Sequence, residues 1–211
     1  AVNRTCDRMG LAVCDITTGE FSVTELEEEE KFWDELGKYR PAELIMNEEN
    51  LGSLDPERCK EGYGVFVNTY GAHHFRLERC QDTLKNHFRV HSMEGLGLSD
   101  MPLAVTAAGG LLDYLVETQK RDLSHISKIQ TYSLSQYMML DSATRRNLEL
   151  TQTLRDKSRQ GSLLWVIDYT KTAMGGRLLR KWVEQPLIDK ALIDRRLDAV
   201  ECFVNDMILS E

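Results

Sequence analysis

The chain has 211 residues, 42% of them apolar, with 26 Lys+Arg against 34 Asp+Glu for a formal charge of −8. That composition belongs to a globular, core-burying protein with room for one large domain or two smaller ones of roughly 100–150 residues. Its densest apolar run, Leu163 to Ile167, falls far short of the roughly 18–20 residues of a transmembrane helix, so no membrane association is expected.

The opening Ala-Val-Asn lacks an initiating Met, and no basic region followed by an apolar segment marks a secretory signal; the chain reads as an internal piece of a longer protein. Cys6, Cys14, Cys59, Cys80 and Cys202 are odd in number, widely spread and without a Cys-x-x-Cys pair, which fits reduced thiols in a cytoplasm. Charge is uneven. Residues 1–100 hold 11 Lys+Arg and 20 Asp+Glu, a net of −9, whereas residues 101–211 hold 15 and 14, a net of +1. Two regions of different character follow.

Leu11 to Ile16 reads as a strand, Thr17-Thr18-Gly19 as a turn, and Glu20 to Leu26 as a second strand with Phe21, Val23 and Glu25 on one face. The acidic run Glu27 to Glu30, ahead of Phe32, Trp33 and Leu36, places negative charge at the positive end of a helix dipole; Gly37 or Arg40-Pro41 ends that helix. Ala42 to Met46 and Tyr63 to Val67 read as short buried strands, joined by a turn-rich connection around Gly52 to Pro56. His73 to Phe88 is expected to be helical, as is the stretch from Pro102 to about Lys120. This order predicts an α/β layer fold, a mixed sheet flanked by helices with an antiparallel hairpin at one side.

Beyond Arg121 the pattern becomes helical apart from a candidate strand, Gln136 to Leu140. Ser142 is expected to cap a helix to about Asp156, Ser162 a short one from Leu163 to Asp168, Thr172 one stopped by Pro186, and Asp189 a last one. In that last helix Ile193, Leu197, Val200 and Val204 form a stripe running into Met207 and Ile208.

Chemistry is sparse. Gly175-Gly176-Arg177 and Gly95-Leu96-Gly97 lack the spacing of a phosphate loop, and Gly109-Gly110, inside a helical pattern, reads as a close-packing site or bend. His73, His74, Cys80, His87 and His91 are the candidate metal ligands, but no second Cys pair closes a tetrahedral set, so an amphipathic helix with polar histidines is the favoured reading; His125 stands alone. Asp15, with Glu48 and Asp141 as available partners, could hold Mg²⁺ for phosphodiester cleavage; a carboxylate entering Asp-Ile-Thr-Thr-Gly equally fixes the turn through backbone N–H groups, and that reading is preferred. Residues 145–181 carry nine Lys+Arg against three Asp+Glu, a net of +6, which is either a DNA-facing patch or a solvated surface.

Two stretches are more specific. Ala12 to Phe21, Ala-Val-Cys-Asp-Ile-Thr-Thr-Gly-Glu-Phe, resembles the opening of the connector domain of the MutS family of DNA mismatch-repair proteins. Met139 to Leu150, Ser162 to Asp168 and Thr172 to Leu187, the last reading Thr-Ala-Met-Gly-Gly-Arg-Leu-Leu-Arg-Lys-Trp-Val-Glu-Gln-Pro-Leu, resemble the start of that family's helical core; Ala173 stands where many members carry Pro. The resemblance implies an RNase H-like connector over about residues 1–122 and an incomplete first part of the core over 123–211. It implies a cytoplasmic, DNA-binding, ATP-binding parent in which this piece joins the mismatch-reading and ATPase regions and offers a surface to MutL, with mismatched DNA and a second MutS subunit as further partners. ATP and Mg²⁺ would belong to that parent. No Phe here is followed two places on by Glu, the family's mismatch wedge, and no phosphate loop is present, so the piece is expected to have no catalytic, cofactor or metal site of its own. The alternative from a different class is a Mg²⁺-dependent RNase H-like nuclease using Asp15.

Overall fold

A computed structural model describes residues 1–52, 54–119 and 123–206. These fall into two compact units that divide between Tyr132 and Ser133. In the first, six strands form one sheet: β1 (Val2–Arg4), β2 (Met9–Asp15), β3 (Glu20–Leu26), β4 (Glu43–Asn47), β5 (Phe66–Tyr70) and β6 (Ile129–Thr131), in the order β5-β4-β1-β2-β3-β6. β1, β2 and β3 form an antiparallel meander, β4 lies parallel to β1, β5 to β4, and β6 to β3. The hairpin is therefore inside the sheet and not at one side, because β1 and β6 pair with its two outer edges. Both are three residues long, too short to show a period in sequence.

Side-chain alternation sorts the core into two layers. Ala12, Phe21, Val23 and Ile45 pack with α3 (Leu77–Phe88) and α4 (Pro102–Gln119), while their neighbours Leu11, Leu26, Leu44 and Met46 are buried toward the other face, which carries α1 (Glu29–Tyr39) and α2 (Pro56–Tyr63). Trp33 of α1 stacks on Tyr63 of α2 with ring centroids 5.7 Å apart. Both faces of the sheet are covered, so its central strands are nearly continuous runs of buried residues.

α2 replaces the expected loop. Asp55 Oδ1 accepts from Glu57 N (2.9 Å) and Arg58 N (3.3 Å), Pro56 occupies the first turn, and Gly64 at φ 69° ends the helix, so the following strand starts at Phe66 instead of Tyr63. α1 continues through Gly37 to a left-handed Arg40. The helix expected from His73 is split: Ala72–Phe75 is a 3-10 turn and α3 begins at Leu77.

α4 is held by contacts that need small residues. A Cβ on Gly109 would lie 2.3 Å from Cys80 Cβ, and one on Gly110 2.7 Å from the Phe75 ring, so these glycines are packing sites against α3 and the turn before it. At its N-terminus Glu25 Oε1, from β3, accepts from Leu103 N (2.7 Å) and Ala104 N (3.1 Å), filling two orphan donors. Lys120, the expected end of this helix, lies outside the described residues.

The first unit extends beyond residue 122 because β6 completes the sheet and Tyr132 is anchored. Tyr132 N donates to Val23 O (3.1 Å), and its hydroxyl donates to Glu35 Oε2 (2.7 Å). Glu35 in turn accepts from Lys38 Nζ at 2.6 Å, with both side chains at 5% exposure or less, and the ammonium lies 4.8 Å from the Tyr132 ring centroid. Burial of this ion pair is matched by a hydroxyl donor and an aromatic face.

The second unit contains α5 (Ser142–Asn147), α6 (Leu163–Ile167), α7 (Ala173–Glu184) and α8 (Lys190–Asn205). Asp141, not Ser142, caps α5 by accepting from Thr144 N at 2.5 Å. α5 ends at Asn147 and not near Asp156: Glu149 adopts φ 48°, its carboxylate accepts from Leu154 N (2.6 Å), and Thr153 and Ser158 bond one another's backbone. Local side-chain acceptors thus outcompete the helical ladder. Gln136 to Leu140 is not a sheet strand; after a 3-10 turn at Leu134–Gln136 a single bridge joins Tyr137 to Leu187, with Met138 N donating to Pro186 O at 2.8 Å. Ser162, Thr172 and Asp189 cap α6, α7 and α8 as their sequence positions predict. The end of the α8 stripe, Met207 and Ile208, lies outside the described residues.

Candidate functional site

Asp15 ends β2 at the four-residue turn into β3. Its Oδ1 accepts from Thr17 N (2.8 Å), Thr17 Oγ1 (2.6 Å) and, more weakly, Thr18 N (3.4 Å). The Thr17 hydroxyl, followed by these backbone donors, holds the carboxyl below the ordinary carboxylate range. Gly19 completes the turn at φ +74°, where a Cβ would meet His125 O at 2.5 Å, and His125 Nε2 lies 2.8 Å from Ile16 O. The isolated histidine of the sequence is thus a clasp on this hairpin. The other two carboxylates are engaged elsewhere: Glu48 Oε1 accepts from Ala72 N (3.0 Å), and Asp141 caps α5 in the second unit. Asp15 fixes the turn, and among the described residues no set of three His, Cys, Asp or Glu side chains that could hold a metal ion includes it.

The candidate metal ligands are dispersed as well. Cys80 is buried and donates to His74 O (3.1 Å); burial pushes its thiol up to about 12, which makes it a poor thiolate source. His74 is buried against the Tyr70 ring at 3.9 Å with Nδ1 3.0 Å from Asp113 Oδ2, an oxygen that also accepts from Arg79 Nε (2.8 Å), while Oδ1 accepts from Thr83 Oγ1 (3.1 Å). Burial alone would raise the Asp113 carboxyl, but the bonds from His74, Arg79 and Thr83 outweigh it and leave the group below its ordinary range. His87 Nε2 lies 2.8 Å from Ile126 O, and His91 is exposed. Asp113 thus ties α4 to Arg79 and Thr83 of α3 and to His74 in the turn before it. Among the described residues no three His, Cys, Asp or Glu side chains are placed to hold a metal ion. Nor do the glycine pairs cradle phosphate: Gly175 and Gly176 lie in the first turn of α7 against Thr170 and Thr172.

The basic stretch of the second unit is partly neutralised by its own neighbours. Arg159 pairs with Asp168, Arg180 Nε with Glu184 Oε1 (3.0 Å), and Arg145 Nε donates to Leu140 O (2.8 Å); Arg177 is exposed. More prominent is exposed apolar surface. Leu197, Val200 and Val204 of α8 are 59%, 48% and 74% exposed, and Met174 and Leu178 of α7 are 74% and 50%. The i, i+4 spacing showed the α8 stripe. Spacing did not show that Trp165, Val166 and Ile167 of the expected α6 are all exposed, because an all-apolar five-residue run has no polar face to set against an apolar one. Among the described residues no helix is long and apolar enough to cross a membrane.

Comparison with known proteins bears on what such a chain belongs to. Residues 1–127 match the family model for MutS domain II, and residues 143–211 that for MutS domain III. DNA mismatch repair protein MutS of Lachnoclostridium phytofermentans is 48% identical over 208 residues, 98% of this chain and 22% of the relative. The same-named proteins of Ruminiclostridium cellulolyticum and Halothermothrix orenii are 47% and 46% identical over 95% and 96% of the chain, and 23% of each relative. The chain thus spans less than a quarter of the curated relatives it matches.

Proposed function

Because the chain belongs to the MutS family of DNA mismatch-repair proteins, we propose that it is a non-enzymatic coupling and docking module: a connector that links the mismatch-reading region to the ATPase region of a larger cytoplasmic protein, followed by the incomplete beginning of its helical core. In that protein the ATP with its Mg²⁺ and the reading of the mismatch belong to regions other than this one, mismatched DNA and a second MutS subunit are partners of the whole, and the acidic connector offers a surface to MutL. The observation that carries the coupling role is the anchoring of Tyr132. The last residue before the helical unit is tied to α1 through the Tyr132–Glu35–Lys38 cluster and to the central hairpin by a backbone bond, so Ser133 follows directly on an anchored residue.

Insertion of a Gly-Ser-Gly-Ser linker between Tyr132 and Ser133 of the complete protein tests it. Mismatch binding and basal ATP hydrolysis should each persist, while the effect of mismatched DNA on nucleotide exchange falls by about tenfold or more, a coupling loss of about 1.4 kcal/mol. Unchanged stimulation would refute the mechanical role. The competing nuclease reading is tested by incubating the chain with Mg²⁺ and branched or hybrid nucleic acid: cleavage that disappears in Asp15→Asn would replace this proposal.

A further inference from the structure

One edge of the first unit's sheet lacks the features that keep edges from pairing. β5 is the terminal strand on its side and runs in unbroken one-to-one register with β4, from Glu43↔Phe66 to Asn47↔Tyr70. In a parallel ladder alternate residues direct both backbone groups to the same neighbour. Phe66 N donates to Ala42 O at 3.2 Å, so the backbone groups of Phe66, Asn68 and Tyr70 serve β4 and those of Val67 and Thr69 point to the open side. Edges of soluble proteins are usually blunted by Lys, Pro, a bulge or extreme shortness. The five residues Phe-Val-Asn-Thr-Tyr have none of these, and Phe66 is 61% exposed where the strand begins. The opposite edge strand, β6, is only three residues long.

We propose that the open side of β5 binds an extended segment of a partner protein as a seventh strand, and that the segment carries Lys or Arg on either side of an apolar centre. Backbone bonds to Val67 and Thr69 supply the pairing, and the exposed Phe66 ring calls for an apolar counterpart. The chain leading into β5, from Glu43 to Glu61, holds six carboxylates against two cations, and one of those cations, Arg58, lies over the Trp33 ring at 4.1 Å. This charge, carried by the elements before β5 and not by the strand itself, favours a basic segment and disfavours a second copy of the chain, which would bring the same carboxylates.

The test uses the 211-residue chain and a fluorescein-labelled peptide, Lys-Arg-Val-Phe-Val-Arg-Lys, with two controls: the same peptide N-methylated at alternate residues, and one with Glu in place of every Lys and Arg. Saturable binding by anisotropy is expected, together with new hydrogen-exchange protection of the Val67 and Thr69 amides. N-methylation should weaken binding by about tenfold or more, and so should the Glu peptide. Thr69→Pro, which removes an outward donor at an edge position where Pro is tolerated, should do the same without altering the melting curve; the N-methylated peptide keeps the test decisive should that variant not fold. Any of four results would overturn the proposal: no saturable binding up to about 1 mM, binding that survives N-methylation, equal binding of the Glu peptide, or protection that maps away from β5. Protection of the same amides that grows with protein concentration without peptide would identify a second copy as the occupant and overturn it too.

Discussion

Replacing Asp15 separates a turn-fixing carboxylate from a catalytic one. Asp15→Ala removes one oxygen that receives Thr17 N at 2.8 Å, Thr17 Oγ1 at 2.6 Å and Thr18 N at 3.4 Å. Two good bonds to an ionised acceptor, discounted because the turn is solvent-exposed, amount to about 1–2 kcal/mol. Asp15→Asn keeps an acceptor in the same place and loses only the charge, so it should cost about 0.5 kcal/mol or less. Because the folded-state carboxyl lies below its ordinary range, the charge-dependent part is fully present above the unfolded pKa of about 3.9 and is lost as pH falls through the lower folded value. The gap between wild type and Asn should therefore close on acidification, while that between Asn and Ala remains. Urea unfolding followed by Trp33 fluorescence, in a background with Trp165 and Trp182 replaced by Phe, reports on the first unit alone, since Trp33 is its one tryptophan. If Ala proves as stable as wild type, or Asn as unstable as Ala, the assignment of Asp15 to the turn fails.

Gly109→Ala should destabilise the first unit by about 1–3 kcal/mol, toward the upper end because the added Cβ meets Cys80 Cα at 2.6 Å as well as its Cβ; a calorimetric melt within 1 °C of wild type would contradict the packing described. Glu25→Ala should cost about 1–2 kcal/mol and Glu25→Gln clearly less, read by urea unfolding, since only Ala leaves the Leu103 and Ala104 amides without their acceptor. Tyr132→Phe should cost about 1–3 kcal/mol and speed proteolysis between residues 123 and 141, because the buried Glu35–Lys38 pair loses a donor. The exposed α8 stripe should drive self-association that Leu197→Glu with Val204→Lys abolishes without changing the first unit's melt, measured by sedimentation; a monomer at all concentrations would contradict this.

What could be read from sequence tracks how each feature is encoded. The β2–β3 hairpin was legible because seven-residue strands show a full period and Thr17-Thr18-Gly19 supplies turn chemistry; even the placement of Glu25 beside Phe21 and Val23 proved meaningful, since it reaches the α4 terminus. Helix caps at Ser162, Thr172 and Asp189 were equally clear, being local by nature. β1 and β6 were missed because three residues carry no period, and β6 in addition pairs only with a strand distant in sequence, Phe21↔Ile129 being an instance. α2 was hidden behind Asp55-Pro56, a pair that opens a helix as readily as it closes a loop. For the candidate site, residue types were visible but their convergence was not. Cys80 and His87 share a helix in sequence, yet one is spent on the His74 carbonyl and the other on that of Ile126.

The pairing of β6 with β3 also governs when this fold can be completed during synthesis. Phe21 must wait for Ile129, so the ribosome has to release the chain through Tyr132 before the far side of the hairpin is covered and the Glu35–Lys38 charges acquire their hydroxyl partner. Until then β3 is a seven-residue open edge carrying Phe21 and Val23, the kind of nascent surface on which chaperones act. A nascent chain stalled with residue 122 just outside the exit tunnel should exert little folding force on the ribosome. One stalled about ten to fifteen residues later should register closure of the sheet.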